Sequence, residues 1–128
     1  MKPSVQLSDL QLAVLRLIWD EGEATVAQVH KELLPTRGLA TTTVATVLTR
    51  LEKRGVLTHR REGRQFIYRS LVSEEEARNS MLAEITQRVF KGDPAKLVAT
   101  LFDAKVISNG DGERVRRVVE EKTKAHAA

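Results

Sequence analysis

Across residues 39–55 the chain places Thr41, Thr42, Thr43, Thr46, Thr49, Arg50 and Lys53 at spacings suited to chemistry on a polyanion. A threonine hydroxyl can bond phosphate oxygens or base edges and its methyl can contact thymine, while Arg50 and Lys53 supply cations for a phosphate backbone. Projected at roughly 100° per residue, Thr42, Thr46, Thr49, Arg50 and Lys53 share one side and no carboxylate joins them. Val44, Val47, Leu48 and Leu51 recur at i, i+3, i+4 and i+7 on the other side, the stripe of a helix packed on a core. An ordinary solvated helix would look similar, so the flanking segments decide.

Charge is distributed unevenly. The net formal charge is +4, but residues 37–69 hold eight cations against Glu52 and Glu62, whereas from residue 73 onward ten cations meet ten carboxylates. A basic character confined to one middle segment is what a nucleic-acid footprint requires. Arg60, Arg61 and Arg64 cluster there and are expected to reach flanking phosphates or a minor groove.

Little is available for catalysis. His30, His59 and His126 are isolated in sequence and lack metal-ligand spacing. No G-x-S-x-G, P-loop or G-x-G-x-x-G occurs, and the three glutamates at 74–76 suit the positive end of a helix dipole. With 0 cysteines, disulfides and thiolate metal sites are excluded. No apolar run approaches the roughly 20 residues of a membrane span, and the start of the chain has no signal-peptide apolar region. A non-enzymatic cytoplasmic protein with no cofactor, no metal and no membrane contact is expected.

The elements that must position these residues follow from local rules. Ser8 with Gln11, Thr25 with Gln28 and Ser73 with Glu76 read as capping boxes opening three helices. The first runs to about Glu21, with Trp19 as a core anchor. The second carries Val26, Val29 and Leu33 and is expected to stop at Pro35, leaving a short basic loop at 36–38. The third is the threonine-rich helix, ended by Gly55; Thr41 fits its N-cap as well as a base contact. Two extended segments, 57–61 and 65–69, flank Glu62-Gly63-Arg64 and predict a hairpin with Gly63 at positive φ. Phe66 and Tyr68 would share one face and cover the helices. The fold class is therefore mostly α with a small β-wing: a winged helix-turn-helix over residues 1–72, followed by a helical dimerisation module over 73–128.

That module contains a helix to about Lys91 ended by Gly92, a second opened by Asp93-Pro94, and a third after a loop at 108–112. Its apolar positions are Leu82, Ile85 and Val89, then Leu97, Val98, Leu101 and Phe102, then Val115 and Val118. Stripes this narrow need a partner, and a second copy of the chain is the expected one.

The stretches LSDLQLAVLRLIWDEGEATVAQV (7–29), TTTVATVLTRLEKRGVL (41–57) and REGRQFIYRSLVSEEE (61–76) resemble the penicillinase repressor (BlaI/MecI/CopY) family of bacterial transcriptional regulators. The resemblance implies a homodimeric repressor that sets its winged helix on a palindromic double-stranded operator. Copper-responsive members carry cysteine pairs near the C-terminus, which this chain lacks. Members controlling β-lactam resistance are inactivated by a regulatory protease at an Asn-Phe bond; the comparable bond here is Leu101-Phe102, which keeps the phenylalanine and replaces the asparagine. The alternatives are a winged-helix module for an acidic protein partner, or a regulator sensing a small molecule.

Overall fold

The computed structural model describes residues 6–127; the amino-terminal stretch scanned above for a targeting signal begins outside them. Two compact units, Met1–Ala83 and Glu84–Ala128, are distinguished, and the division falls within one helix.

In the first unit, α1 (Asp9–Glu21) opens on the expected box: Gln11 N–H donates to Ser8 Oγ at 3.1 Å and Ser8 N–H to Gln11 Oε1 at 3.0 Å. A two-residue strand, β1 (Ala24–Thr25), follows. Thr25 then caps α2 (Val26–Arg37), reciprocated by Gln28. The expected stop at Pro35 is wrong, because α2 continues to Arg37. The proline ring disrupts bonding back to Lys31, but less than a turn remains beyond it, so the loss is confined to the fraying end. Gly38, at φ 58°, ends the helix by donating to Leu34 O at 2.9 Å, so Thr36 and Arg37 are helical rather than loop.

α3 (Thr41–Lys53) is the threonine-rich helix. Its N-cap is Ala40, with no side-chain cap bond, which corrects the N-cap reading of Thr41. At its other end Gly55 takes φ 79°, and Gly55 N–H and Val56 N–H return to Glu52 O and Leu51 O at 3.0 Å each, so the helix closes in a Schellman turn. The hairpin comprises β2 (Leu57–Glu62) and β3 (Gln65–Ser70), paired antiparallel from Leu57↔Ser70 to Glu62↔Gln65. Only Gly63 and Arg64 form the loop. Gly63 sits at φ 61°, as the first position of a tight hairpin turn requires. β1 adds to the far side of β3 through Ala24↔Tyr68 and Thr25↔Ile67, giving the order β1-β3-β2.

One core unites these elements. Val14, Leu15 and Ile18 of α1, Val29 and Leu33 of α2, Val44, Leu48 and Leu51 of α3, and Leu57 and Tyr68 of the hairpin are all buried in it. Trp19 anchors its edge, donating from Nε1 to Val72 O at 3.0 Å and Ser70 Oγ at 3.2 Å. The first turns of α4 (Glu74–Phe90), opened by the Ser73–Glu76 box, contribute buried Ala77. Tyr68 covers the helices as expected, but Phe66 remains 40% exposed. Two strand positions nearer the hairpin tip, it stacks on His59 and lines a surface groove instead of entering the core.

In the second unit, Lys91 and Gly92 end α4 with positive φ values of 51° and 81°. Asp93 Oδ1 accepts from Ala95 N–H at 3.0 Å and caps α5 (Pro94–Asp103), with Pro94 in the first turn. Residues 108–112 are not a plain loop. Ser108 N–H and Oγ both donate to Asp111 Oδ2, at 3.0 and 2.8 Å, around a 3₁₀ turn (Asn109–Asp111) that leads directly into α6 (Gly112–Ala125). The capping aspartate can accept both bonds, so the glycine-rich composition does not prevent a helical turn. The Ser108 bonds hold the Asp111 carboxyl below its usual range, with Arg114 assisting.

Candidate nucleic-acid interface

Every threonine and cation singled out on α3 is exposed: Thr41, Thr42, Thr43, Thr46, Arg50 and Lys53. Their hydroxyls are not equivalent. Thr46 Oγ1 donates to Thr42 O and Thr49 Oγ1 to Ala45 O, both at 2.9 Å. Both hydroxyls have spent their proton on the helix; Thr46 offers outward a methyl group and acceptor lone pairs, while the Thr49 hydroxyl also engages Tyr68. Among the described residues no partner occupies the hydroxyls of Thr41, Thr42 and Thr43, which can donate to phosphate. Arg50 and Lys53 have no ion pair among the described residues, so their charge faces solvent undiminished.

The three wing arginines divide. Arg60 Nη2 lies 2.9 Å from Glu23 Oε1 and its Nη1 2.6 Å from Glu62 Oε2, and these bonds raise its pKa above the ordinary guanidinium value. Its charge is compensated and its donors engaged, so it is less available to a phosphate than the sequence implied. Arg61 instead stands 5.7 Å over the Phe66 ring. Arg61, Arg64, Gln65 and Phe66 line a groove of about 370 Å³ together with Thr41 and the residues opening α2, Thr25, Val26 and Ala27. Hairpin tip and start of α3 thus border one concavity.

Sequence reasoning missed several participants. His59 is not isolated in space: its Nδ1 sits 2.7 and 2.8 Å from the two Glu52 carboxylate oxygens, and its ring stacks on Phe66 at 4.2 Å and 21°. Burial raises the pKa of neighbouring Tyr68, with the Glu52 charge adding to it and a Thr49 hydrogen bond opposing. Glu23, Glu52 and the residues opening α2 carried no local signal for these roles. Arg37 and Arg54, counted in the basic segment, are tied to Asp9 at 3.0 Å and to Gln11 Oε1 at 3.2 Å.

Residues 7–121 match the sequence profile of the penicillinase repressor family. The chain belongs to the penicillinase repressor family. The penicillinase repressor of Bacillus licheniformis is 29% identical over 121 residues, covering 94% of each chain. A solution structure of the DNA-binding domain of the repressor BlaI is 38% identical with a TM-score of 0.53, covering 59% of this chain and 93% of that one. The monomeric form of B. licheniformis BlaI in complex with the blaP half-operator is also 38% identical, with a TM-score of 0.51 over the same shares.

In this penicillinase repressor family member, the residues expected to join two copies lie on α4, α5 and α6. Leu82, Ile85, Val89, Val98, Phe102 and Val118 are 41–63% exposed, and Leu97, Leu101 and Val115 are partly covered. The Leu101-Phe102 bond sits in the last turn of α5, where Leu101 O accepts from Val106 N–H at 2.9 Å and Ile107 N–H at 3.0 Å. A protease needs an extended substrate, so cutting there first requires that turn to unwind. No helix of the described residues is long and apolar enough to cross a membrane.

Proposed function

We propose that the chain is a homodimeric, sequence-specific DNA-binding repressor of transcription, acting in the cytoplasm without catalysis or cofactor and binding a palindromic operator. The start of α3 enters the major groove, with Thr42, Thr43 and Thr46 near base edges and Thr41 beside the phosphates. Arg50, Lys53, Arg61 and Arg64 take the backbone. Thr46, its proton committed to Thr42 O, is suited to a thymine methyl. In this reading residues 1–72 serve DNA binding and 73–128 the pairing of two copies, although the first compact unit extends into α4, to Ala83. The observation carrying this reading is the common groove of Thr41, Arg61 and Arg64, with Arg50 and Lys53 exposed further along the same helix. A 38%-identical BlaI chain bound to its half-operator supports it. Relief comes from a regulatory protease acting at Leu101-Phe102, which would sever α6, with Val115 and Val118, from α4 and most of α5.

A mobility shift on genomic fragments with competitor present tests the reading. A small set of selected fragments is expected, retarded less by R50A/K53A. Each lost phosphate contact lowers the salt slope of binding by about 0.9, so the double variant should lose roughly twice that per protomer and bind at least about tenfold more weakly. Unselective retardation, or full affinity in R50A/K53A, would point instead to a protein-interaction module. Fragment selection abolished by a metabolite extract, with the chain intact, would favour a small-molecule sensor over proteolysis.

A further inference from the structure

Alternate residues of the hairpin share a face, and the register sets His59 opposite Tyr68 and Arg61 opposite Phe66. On that face four side chains form a continuous series from α3 to the wing tip. Glu52, near the end of α3, receives His59 Nδ1 at 2.7 and 2.8 Å. A carboxylate in that position only accepts, so Nδ1 carries the proton. The His59 ring stacks on Phe66 at 4.2 Å, and the Arg61 guanidinium stands over Phe66 at 5.7 Å. Tyr68 closes the inner side, 5.5 Å from His59 and 6.5 Å from Phe66.

Each link depends on the one before it. An exposed arginine at a hairpin tip, with no carboxylate partner among the described residues, samples many rotamers unless a surface orients it. Phe66 supplies the surface, yet it is 40% exposed and is held on one side by the His59 ring. His59 in turn is fixed by two oxygens of a helix whose adjacent residue, Leu51, is fully buried. Arg60 does not compete for Glu52, because it lies on the opposite strand face and is engaged by Glu23 and Glu62. We propose that His59 is a positioning residue that, clamped by Glu52, holds the Phe66 ring and thereby orients Arg61 toward the same nucleic-acid backbone that α3 meets. The inference rests on the reading of α3 and the wing as the DNA surface.

The test is the salt dependence of binding to a selected duplex by the full chain, which counts phosphate contacts rather than overall stability. R61A is expected to lower the slope by about 0.9 per protomer. H59A should lower it by a comparable amount, and H59A/R61A by no more than R61A alone, the non-additivity of residues acting in series. H59N keeps a donor for Glu52 but no ring; it should behave as H59A in slope while retaining the wild-type melting temperature, so the outcome holds even where H59A folds poorly. A wild-type slope in H59N beside a reduced slope in R61A overturns the positioning role alone. A wild-type slope in R61A overturns the assignment of Arg61 as a phosphate contact, and this inference with it.

Discussion

The two units of this chain answer the same folding problem differently. The first encloses fourteen hydrophobic residues in one buried cluster, from Val14 to Ala77, and eleven of those residues are no more than 1% exposed. In the second no described residue is buried, although Ile85, Val89, Val98, Phe102, Val118 and Val119 all lie on its helices at 41% exposure or more, and Val106, between α5 and α6, is 68% exposed. Helices hold their caps in both units, so local propensity is not what separates them. The first finds its apolar partners within itself, and the second presents apolar stripes whose burial requires another surface.

The sharpest way to break that contrast is to cut into the first core. L48A removes a side chain with no exposed area and should cost about 2–5 kcal/mol, lowering the melting midpoint of the first unit by at least about 8 °C in a circular-dichroism melt. A substitution of the same kind at Val89, 63% exposed, should leave the melt of that unit unchanged. Next in size is the I85D/V89D/F102D variant. It should retain the first transition within about 0.5 kcal/mol, as surface substitutions do, yet sediment as a single chain and bind a palindromic duplex no better than a half-site.

Smaller effects refine the first unit. W19F removes the indole N–H shared by Ser70 Oγ and Val72 O. Val72 O retains the Ser70 hydroxyl as a donor, so the loss should be about 1 kcal/mol in chemical denaturation. Tyr68 gives the smallest. Its pKa is raised on folding, chiefly by burial, so the native state favours the protonated phenol. That contribution is present below the unfolded value near ~10 and is lost as pH rises through the folded one. Stability of the wild type should therefore fall in strongly alkaline buffer, and Y68F should flatten that fall.

Local rules carried much of the architecture. The Ser8, Thr25 and Ser73 boxes, the Asp93-Pro94 start and the Gly63 turn each depend on residues within four positions of one another. They appear in the structure as the sequence implied. What escaped was long in range. β1 exists because Ala24 and Thr25 meet Tyr68 and Ile67, pairs more than forty residues apart. Arg60 looked like a free cation because Glu23, thirty-seven positions earlier, is invisible to a local count. His59 looked isolated because its carboxylate comes from a helix and its stacking ring from the next strand. Pro35 differs in kind: the local rule against proline in a helix is strong, but only Thr36 and Arg37 of α2 follow it, too little helix for the rule to matter.

Sedimentation equilibrium of the wild-type chain across micromolar concentrations tests the central contrast most directly. The account predicts twice the 14.3 kDa chain mass, falling to the single-chain mass in I85D/V89D/F102D with the melt of the first unit preserved. A wild-type chain that stays at the single-chain mass at every concentration, with its second unit resistant to proteolysis, would contradict it.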